Sequence, residues 1–531
     1  MSLYLGFDAS TQSLSATVID ANTRRILLTR SFRFDDELPG YGTRAGVLPQ
    51  SDPTIVHAPP LMWTEALDRM IGKLTADIAV DWGALRAISG SAQQHGSVYL
   101  NAIARQRLGA LDPGSGLADQ LGDVFSRGSS PVWMDSSTTV QCAAIEAALG
   151  GAAALARLTG SRAFERFTGP QIRKFAEQDP DGYRATDRIH LVSSWMTSLL
   201  AGAHAPIDVA DGSGMNLMDL GTGRWSPEAA RATAPDLLPR LPPLVPSHIV
   251  AGRLAPFWQR RHRLPDAKVV AWSGDNPCSL VGTGVVREGI VAVSLGTSDT
   301  IFGIMREPRV SGDGTGHVFA SPTGEFMGMT VFKNGSLARE RIREAYGLDW
   351  TGVSLALNTT PAGNRQRTIL PWFEPEITPL VLDPGIRRHG LDPGDAAANV
   401  RALIEAQMLA LRLHSRWMDV EIGAVYATGG ASANREILQV LADVFGAPVY
   451  QMQAANSAAL GAALRACHAD RVESGAPVSW PDILEGFVEP APGSAIAPIA
   501  GHVAAYAQLL PLYAARERDA LRTDKNEITR P

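Results

Sequence analysis

The segment LYLGFDASTQSLSATVI, residues 3–19, decides the fold. Residues 3–7 form an apolar run that is typical of a short buried strand. Leu14, Ala16 and Val18 then alternate with polar residues, and this period of two predicts a half-buried strand. The polar residues 8–12, DASTQ, lie between the two strands. The segment therefore predicts a β-hairpin with a small, hydroxyl-rich tip.

A second hairpin of the same design occurs later in the chain. Residues 290–295 are apolar, residues 296–299 read GTSD, and an apolar strand resumes over residues 300–304. Two similar hairpins indicate an internal duplication, with two related domains that each begin on a strand, a turn and a strand. The alternative is that two unrelated hairpins share ordinary turn residues.

Helical patterns separate the strands of the chain. Apolar residues at helical spacing predict helices at residues 138–149, 151–158, 336–346, 396–419 and 434–445. Strands that alternate with helices are typical of an α/β architecture.

The chain is long enough for more than one domain. Its 531 residues suggest two or three domains. An Arg- and Pro-containing segment near residue 265 marks a boundary between a domain at 1–265 and a domain at 266–515. The last residues, 516–531, are charged and poor in apolar side chains, so we expect a tail that frays or is disordered.

The composition excludes several classes of protein. The chain is 45% hydrophobic and 19% charged with a net charge of −6, which gives no basic surplus for nucleic acid or acidic membranes. Three cysteines lie far apart without a CxxC pair, as expected in a reducing cytoplasm. No signal peptide and no apolar run of about 18 residues is found. We expect a cytoplasmic monomer or homodimer whose partners are small molecules, with no nucleic acid and no membrane.

The two hairpin tips have the residues that a phosphate requires. Small side chains let backbone N–H groups approach a ligand, and hydroxyls add donors. Asp8 could hold a divalent metal through water, because Mg²⁺ keeps much of its hydration. The sequence lacks the GxxxxGK[ST] pattern, so a P-loop is excluded.

A paired-glycine turn follows another apolar strand. Gly429 and Gly430 come after residues 424–427 and precede a helix. Paired glycines at a helix N-terminus let a flat ligand or a phosphate lie against the backbone. The alternative is a plain strand-to-helix turn.

Two polar residues follow the apolar run VVAW, residues 269–272. Asp275 and Asn276 stand there, and Pro277 is expected to stop the strand. A turn would accept either polar residue. A reaction that removes a proton from an alcohol would use both, with Asp275 as the base and Asn276 orienting the acceptor.

Other polar residues could bind the hydroxyls of a polyol. Gln93, Gln94 and His95 form a cluster with this capacity, although a lone histidine is more often structural. Arg166 is more often a salt-bridge partner than a ligand. Asp135 and Asp211 read as turn carboxylates rather than catalytic groups. Taken together, the carboxylate, the hairpins and the glycine turn are the parts of a phosphoryl-transfer site.

Several long motifs resemble the FGGY carbohydrate kinase family, within the actin/Hsp70/sugar-kinase ATPase superfamily. They run from residue 4 to beyond residue 460 and so cover nearly the whole chain. They are YLGFDASTQS (4–13), SAQQHGSVYL (91–100), PVWMDSSTTVQC (131–142), LTGSRAFERFTGPQI (158–172), PIDVADGSGMNL (206–217), GDNPCSL (274–280), VAVSLGTSDTIF (291–302), FKNGSLARERIRE (332–344) and ATGGASANREILQVLADVFGAPVY (427–450).

The resemblance implies a fold, a reaction and a set of site residues. It implies two ribonuclease H-like α/β domains with an active-site cleft between them, and transfer of the ATP γ-phosphate to the terminal hydroxyl of D-xylulose with Mg²⁺. The implied base is Asp275, and the implied sugar contacts are His95, Arg166, Asp275, Asn276 and Gln94. The implied ATP contacts are Asp8, Ser10, Thr11, Gln12, Gly296, Thr297, Ser298, Trp350, Gly429, Gly430 and Asn434. Mg²⁺ would lie at Asp8 through water, with Asp275 as a second candidate.

Two alternatives remain at this point. The substrate could be another ketopentose or a polyol, such as D-ribulose or L-xylulose, because one hydroxyl's stereochemistry decides the difference. The protein could instead be a nucleotide-driven switch without catalysis, as actin and Hsp70 relatives are.

Overall fold

The computed structural model of the protein describes residues 1–453 and 456–528, with side chains described up to residue 522. Helices of eight or more residues in these ranges are α1 Pro60–Thr75, α2 Thr139–Ala148, α3 Ala152–Thr159, α4 Thr168–Gln178, α5 Val192–Ala201, α6 Asp275–Gly282, α7 Ser336–Ala345, α8 Trp350–Thr359, α9 Ala396–His414, α10 Arg435–Phe445, α11 Ser457–Glu473 and α12 Ala500–Ile528. Shorter helices are Phe34–Glu37, Ala104–Gly109, Leu117–Leu121, Pro180–Ala185, Val209–Gly212, Pro227–Thr233, Pro256–His262 and Trp480–Leu484.

The strands of the two main sheets alternate with these helices along the chain. They are β1 Leu3–Ala9, β2 Ser13–Asp20, β3 Arg25–Arg33, β4 Leu85–Ala92, β5 Val250–Arg253, β6 Lys268–Val270, β7 Ser273–Gly274, β8 Ile290–Leu295, β9 Asp299–Met305, β10 Phe326–Phe332, β11 Ala424–Thr428 and β12 Val449–Gln451. Shorter pairings involve His57–Ala58, Ser97–Leu100, Ser130–Pro131, Arg188–Leu191, Ile207–Asp208, Met218–Asp219, Arg224–Trp225, Leu244–Val245, His317–Ala320, Thr368–Trp372 and Gly385–His389. The α/β class predicted from the sequence is confirmed.

The chain divides into two compact units. Unit 1 comprises Met1–Val286, Val318–Met327 and Ala455–Val488, and unit 2 comprises the remaining segments, which begin at Arg287. The predicted boundary near residue 265 falls inside unit 1. The predicted cleft between two domains stays a prediction.

Unit 1 is built on a sheet with the strand order β5-β6-β4-β1-β2-β3, and β7 also pairs with β4. The predicted first hairpin is the antiparallel pair β1–β2, and β1 runs parallel to β4. Trp272 is fully buried and stacks on Phe7 with ring centroids 5.5 Å apart, so it is a packing residue as the apolar run VVAW indicated. Strands β1, β4 and β7 run parallel, so they end at the same edge of the sheet.

Unit 2 is built on a sheet that contains the order β10-β9-β8-β11-β12. Its strands β8 and β9 are the predicted second hairpin, and β8 runs parallel to β11. The order β3-β2-β1-β4-β6 of unit 1 corresponds to it strand for strand. The two sheets therefore share the arrangement that an internal duplication requires.

Helix α11 packs closely within unit 1. A Cβ atom on Gly461 would lie 1.9 Å from the carbonyl oxygen of Cys278, and one on Gly6 would lie 2.1 Å from that of Ala459. Only glycine permits backbones to approach so closely. Helix α11 is therefore seated directly against α6 and against strand β1.

Two sequence predictions are wrong in detail. The segment 516–531 was expected to fray, but α12 continues through it to Ile528, and residues 529–531 lie outside the described residues. At the start of this segment Glu517 is buried and its carboxylate is 2.9 Å from the Nε2 atom of His414, which holds the first residues of the segment in place. Pro277 does not end a strand but lies in the first turn of α6, where its missing N–H costs no hydrogen bond.

Among the described residues, no single helix is long and apolar enough to cross a membrane. Helices α2 and α3 reach the required length and apolar composition only when they are taken together, and the chain bends by 82° between them.

Candidate functional site

The candidate site of unit 1 lies where parallel strands end. Asp8 of β1 is in register with Ser91 of β4, and Gly274 of β7 is in register with Ala92. Ligands of α/β proteins bind at the carboxyl ends of such strands, because the connecting turns and helix N-termini collect there. The residues that follow these strands are the ones predicted from the sequence.

Asp275 is the first residue of α6. Gly274 stands at the N-cap position, and the backbone N–H of Asn276 donates to Asp275 Oδ1 at 2.8 Å. Burial raises the pKa of Asp275 to about 7, and the negative charge of Asp8 raises it further. A carboxylate with a pKa near neutrality can accept a proton in the physiological range.

Asp8 is the second carboxylate of this cluster. Ser91 Oγ donates to Asp8 Oδ1 at 2.8 Å. Burial raises the pKa of Asp8 to about 6, although the bond from Ser91 opposes the shift. The charge of Asp8 also raises the pKa of Asp275, so the two carboxylates form a local excess of negative charge, which a cation would relieve.

Asn276 links the base to the glutamine pair. Its Nδ2 atom donates to Gln94 Oε1 at 2.7 Å and to Asp275 Oδ1 at 3.2 Å. Both amide hydrogens are then used, so the carbonyl oxygen of Asn276 is left as an acceptor. The buried Nε2 atoms of Gln93 and Gln94 have no hydrogen-bond partner among the described residues. Buried donors of this kind are normally satisfied, and hydroxyls of a bound polyol would satisfy them.

His95 is buried and neutral. Its Nδ1 lies 2.9 Å from the carbonyl oxygen of Gly214, so the ring must carry its proton on Nδ1. Burial lowers the pKa of His95 to about 3, with a further contribution from the positive charge of Arg166. Its Nε2 can therefore accept a hydrogen bond from a hydroxyl. His95 also has a φ of 71°, which places it in the left-handed region.

Arg166 lies on the same side of the site as His95. Its guanidinium is 5.5 Å from the ring centroid of Phe167, on which His95 stacks at 4.3 Å. Burial lowers the pKa of Arg166 to about 10, which leaves it charged at neutral pH. The structure therefore brings the predicted sugar contacts Gln94, His95, Arg166, Asp275 and Asn276 together in unit 1.

Asp211 is a site residue that the sequence reasoning missed. It was taken as a turn carboxylate, yet it is buried and accepts a hydrogen bond from Ser193 Oγ. Burial raises the pKa of Asp211 to about 8, and the charges of Asp208 and Asp275 add to the shift. Its Oδ1 atom has no hydrogen bond of good geometry among the described residues, although the Gln94 amide lies close enough to lower the pKa of Asp211. The sequence carried no signal for it beyond its place in the motif PIDVADGSGMNL.

The tip of the first hairpin is held by local hydrogen bonds. Ser10 N donates to Ser13 O at 3.0 Å, and Thr11 Oγ1 accepts from Trp133 Nε1 at 2.8 Å. Gln12 is exposed, and its Oε1 accepts from Arg33 Nη2 at 2.9 Å. The sequence did not predict a role for Trp133. Its indole is 45% exposed and donates to the hairpin tip, and this contact identifies it as a candidate site residue.

Unit 2 contains a cavity of about 930 Å³. The predicted ATP contacts that line it are Gly296, Thr297, Trp350, Gly430 and Asn434. A volume of this size is within the range of small-molecule and cofactor pockets. Ser298 and Gly429 do not line the cavity, although Ser298 adjoins it in the hairpin tip.

Gly429 instead fixes the distance between two backbones. It has a φ of 84°, and a Cβ atom there would lie 2.6 Å from the carbonyl oxygen of Leu295. Glycine is thus required, and the paired-glycine turn is held against the end of β8. Asn434 caps α10 by accepting from Glu436 N and Ile437 N, each at 3.1 Å.

Trp350 begins α8 and is 40% exposed. The guanidinium of Arg343 is 5.3 Å from the indole centroid, so one face of the ring is held by a cation. An exposed indole that lines a large cavity can stack on a planar ring.

Arg339 is a residue of the unit 2 site that the sequence reasoning missed. It is buried and binds both carboxylate oxygens of Asp299, at 2.8 and 2.9 Å. Its Nη2 also donates to the carbonyl oxygen of Gly296 at 3.1 Å. Arg339 therefore anchors the tip of the second hairpin. An arginine within the motif FKNGSLARERIRE was the available signal.

The donor set of unit 1 fits Mg²⁺. No group of three or more His, Cys, Asp or Glu side chains that could hold a metal is found among the described residues. Mg²⁺ does not need such a cage, since it usually takes one or two carboxylates together with phosphates and water. Asp8 and Asp275 supply two oxygen donors, and burial raises the pKa of both, so a cation that favours their ionised forms would be bound there.

Comparisons with known proteins identify the family of the chain. Models of the FGGY family of carbohydrate kinases match the chain, the N-terminal domain at residues 128–282 and the C-terminal domain at residues 291–469. A curated relative called xylulose kinase, from mouse (Mus musculus), is 42% identical over 99% of this chain and 95% of its own. Xylulose kinase 2 from Arabidopsis thaliana is 42% identical over 92% of this chain and 91% of its own.

Solved structures share the fold. The crystal structure of ligand-bound xylulose kinase from Lactobacillus acidophilus has a TM-score of 0.82 and covers 100% of both chains, at 19% identity. At this identity the likeness concerns the fold alone.

Proposed function

Because the chain belongs to the FGGY family of carbohydrate kinases, we propose that it transfers the γ-phosphate of ATP to the terminal hydroxyl of D-xylulose. Membership of this family makes the protein an ATP-dependent carbohydrate kinase rather than a nucleotide switch without catalysis. The choice of D-xylulose is supported by the names of the full-length relatives from mouse and Arabidopsis thaliana.

The observation that carries the proposal is the arrangement around Asp275. A carboxylate with a raised pKa stands at the start of α6. The amide next to it has a free oxygen that can accept a hydrogen bond from a hydroxyl. His95 adds a second neutral acceptor, and Gln94 adds a buried donor. A polyol needs this mixture of donors and acceptors, because each hydroxyl both donates and accepts.

Asp275 has the role of general base in this mechanism. It takes the proton of the attacking hydroxyl as the oxygen bonds to the γ-phosphorus, and the bond between that phosphorus and its bridging oxygen to ADP breaks. Asn276 and His95 hold the sugar so that this hydroxyl meets Asp275. The charge of Arg166 complements the negative charge that reaches the site with the phosphoryl group.

The residues of unit 2 have the role of holding the nucleotide. Backbone N–H groups and hydroxyls at Gly296, Thr297 and Ser298 would bind phosphate oxygens, and the turn at Gly429 and Gly430 would receive the adenosine. Mg²⁺ would be held by Asp8 through water, with Asp275 as a further oxygen donor, and would neutralise charge on the phosphates.

We also propose that the enzyme works in the cytoplasm as a monomer or homodimer. The three cysteines are buried and free, which suits a reducing compartment.

A sugar panel tests the proposed function. The purified protein is incubated with Mg-ATP and, separately, D-xylulose, D-ribulose, L-xylulose, xylitol or glycerol, and ADP release is followed. We expect the highest kcat/KM with D-xylulose and a product phosphorylated at the terminal carbon, as identified by ³¹P NMR. A higher kcat/KM with another sugar would refute the substrate and leave the kinase class intact. ADP release that no sugar stimulates would refute the proposal as a whole.

A further inference from the structure

A buried arginine connects the elements that carry the site of unit 1. Arg465 lies on α11 with 1% of its side chain exposed. Its two terminal nitrogens lie within hydrogen-bond reach of six acceptors. These are Ser89 Oγ at 3.4 Å, Gly90 O at 3.3 Å, Cys278 Sγ at 3.5 Å, Asp208 Oδ2 at 3.2 Å, Ser247 O at 3.1 Å and Ala271 O at 2.9 Å.

Two of these acceptors lie close in sequence to residues of the carboxylate cluster. Gly90 directly precedes Ser91, which donates to Asp8. Cys278 lies one helical turn after Asp275 on α6. One guanidinium therefore contacts both the strand beside the first carboxylate and the helix that carries the base.

The same guanidinium also fixes the segment that carries Asp211. Its partner Asp208 caps the short helix Val209–Gly212 by accepting from Ala210 N at 3.2 Å. Asp208 Oδ1 in addition accepts from Ser247 Oγ at 2.5 Å. Asp208 is thus held from three directions, and Asp211 follows it within one turn.

The geometry requires an arginine rather than any cation. Removing a charged group from water is costly unless its hydrogen bonds are replaced. Both terminal nitrogens of Arg465 have such replacements, whereas its Nε has no partner among the described residues. The planar fork of a guanidinium reaches acceptors on several elements at once, whereas an ammonium group is a compact donor on a flexible stem. Lysine at this position would reach only part of the set.

We infer that Arg465 is a positioning residue, which holds Asp275 where it can take the proton of the acceptor hydroxyl. The inference rests on the proposed function for its reaction and on the contacts of Arg465 for its geometry. Arg465 contacts neither substrate, and it acts through α6, strand β4 and Asp208. A misplacement of about 1 Å at a reacting group can lower a rate by about 100-fold.

The chain offers a matched control for ordinary loss of stability. Arg401 of α9 is also a buried arginine, 2.7 Å from Glu405, and it has no place in either candidate site. We therefore compare Arg465→Lys and Arg465→Met with Arg401→Lys and Arg401→Met. The measurements are melting temperature, kcat and KM for ATP with the best sugar of the panel, and hydrogen exchange of peptides from α6.

We expect Arg465→Met to lower kcat by about 30-fold or more, with KM for ATP within about twofold of wild type. Arg465→Lys should recover part of kcat, and hydrogen exchange at 275–282 should be faster in both variants. The Arg401 variants should lower the melting temperature without changing kcat by more than about twofold or exchange in α6.

Three results would overturn the inference. One is a kcat of Arg465→Lys and Arg465→Met within about threefold of wild type. The second is equal loss of kcat in the Arg465 and Arg401 variants at equal loss of melting temperature. The third is unchanged exchange in α6 of the Arg465→Lys protein, which also decides the matter if Arg465→Met does not fold. Wild-type protein that no sugar stimulates would refute the proposed function instead, and the exchange comparison would still test the role of Arg465.

Discussion

Replacement of Asp275 by asparagine removes the base with the smallest change of shape. Asp275 Oδ1 accepts from the backbone N–H of Asn276 at 2.8 Å and from its Nδ2 at 3.2 Å. An asparagine keeps a carbonyl oxygen for these bonds, so α6 should start at the same residue. The variant lacks only the capacity to take a proton at neutral pH.

The expected loss follows from this role. General bases contribute about 100- to 10,000-fold to a rate, so kcat for sugar phosphorylation should fall by that factor. Trp350 and Asn434, two of the predicted ATP contacts, line the cavity of unit 2, and among the described residues Asp275 makes no hydrogen bond to the predicted contacts of the first hairpin. KM for ATP should therefore stay within about twofold of wild type.

The pH dependence gives a second and independent measurement. Burial and the charge of Asp8 raise the pKa of Asp275 to about 7. A base must be ionised to act, and below its pKa it is protonated, so kcat/KM of the wild type should decline as the pH falls below about 7. At pH 6 only about a tenth of the base is ionised. The residual activity of Asp275→Asn should lack this acid limb.

The assay couples ADP release to NADH oxidation over pH 5.5–9, with the coupling enzymes in excess at each pH. A Gly274→Ala variant does not serve as the control, because its Cβ would collide with Gln94. The control is Ser279→Ala on the same helix α6, because the Ser279 hydroxyl meets Ser457 and contacts neither Asp275 nor Arg465. The reasoning is refuted if Asp275→Asn keeps more than a tenth of wild-type kcat, or if it loses activity along the same acid limb.

Three further predictions concern stability and nucleotide binding. Gly6→Ala should lower the free energy of unfolding by about 1–3 kcal/mol, because its Cβ would lie 2.1 Å from Ala459 O; an unchanged urea midpoint would contradict this. Glu517→Ala should lower that free energy by about 1–3 kcal/mol, since it leaves the partly buried imidazole of His414 without its partner. An unchanged melting temperature in calorimetry would contradict this. Trp350→Ala should raise KM for ATP about 2- to 12-fold, which corresponds to the 0.5–1.5 kcal/mol of an aromatic pair, and an unaltered KM would exclude stacking on adenine.

The local elements could be predicted because each depends on a short stretch of sequence. Period-two alternation set β2, apolar runs set β1 and β8, and the Gly-Gly turn set the start of α10 at Asn434. The end of α12 could not be predicted in this way. Residues 516–528 are charged, yet the helix continues through them, and near their start Glu517 meets a histidine on a distant helix. Contacts between residues far apart in sequence leave no local pattern.

The candidate site divides along the same line. Asp275, Asn276 and His95 could be proposed because each follows an apolar run beside other polar residues, and the resemblance to the FGGY family assigns them roles. Asp211 could not, because a carboxylate in a Gly-rich turn has an ordinary explanation, and only burial beside Ser193 distinguishes it. The role of Arg465 could not be predicted from the sequence either, for a further reason. In the sequence it is a single charged residue in an alanine-rich helix, and its six acceptors come from segments that are scattered along the chain.

The repeated sheets explain how one design serves two purposes. Asp8 is in register with Ser91 across the parallel pair of unit 1, and Ser294 is in register with Thr428 across the corresponding pair of unit 2. The same backbone position thus carries a carboxylate in one unit and a hydroxyl in the other. In the proposed function both hairpin tips meet phosphates, and unit 1 also holds the base. The carboxylate of unit 1 would repel a phosphate unless a cation lay between them, so it suits the unit proposed to hold Mg²⁺. The hydroxyl of unit 2 can donate to a phosphate directly. The proposed division of roles therefore requires no change of fold, only a change of side chain at equivalent strand ends.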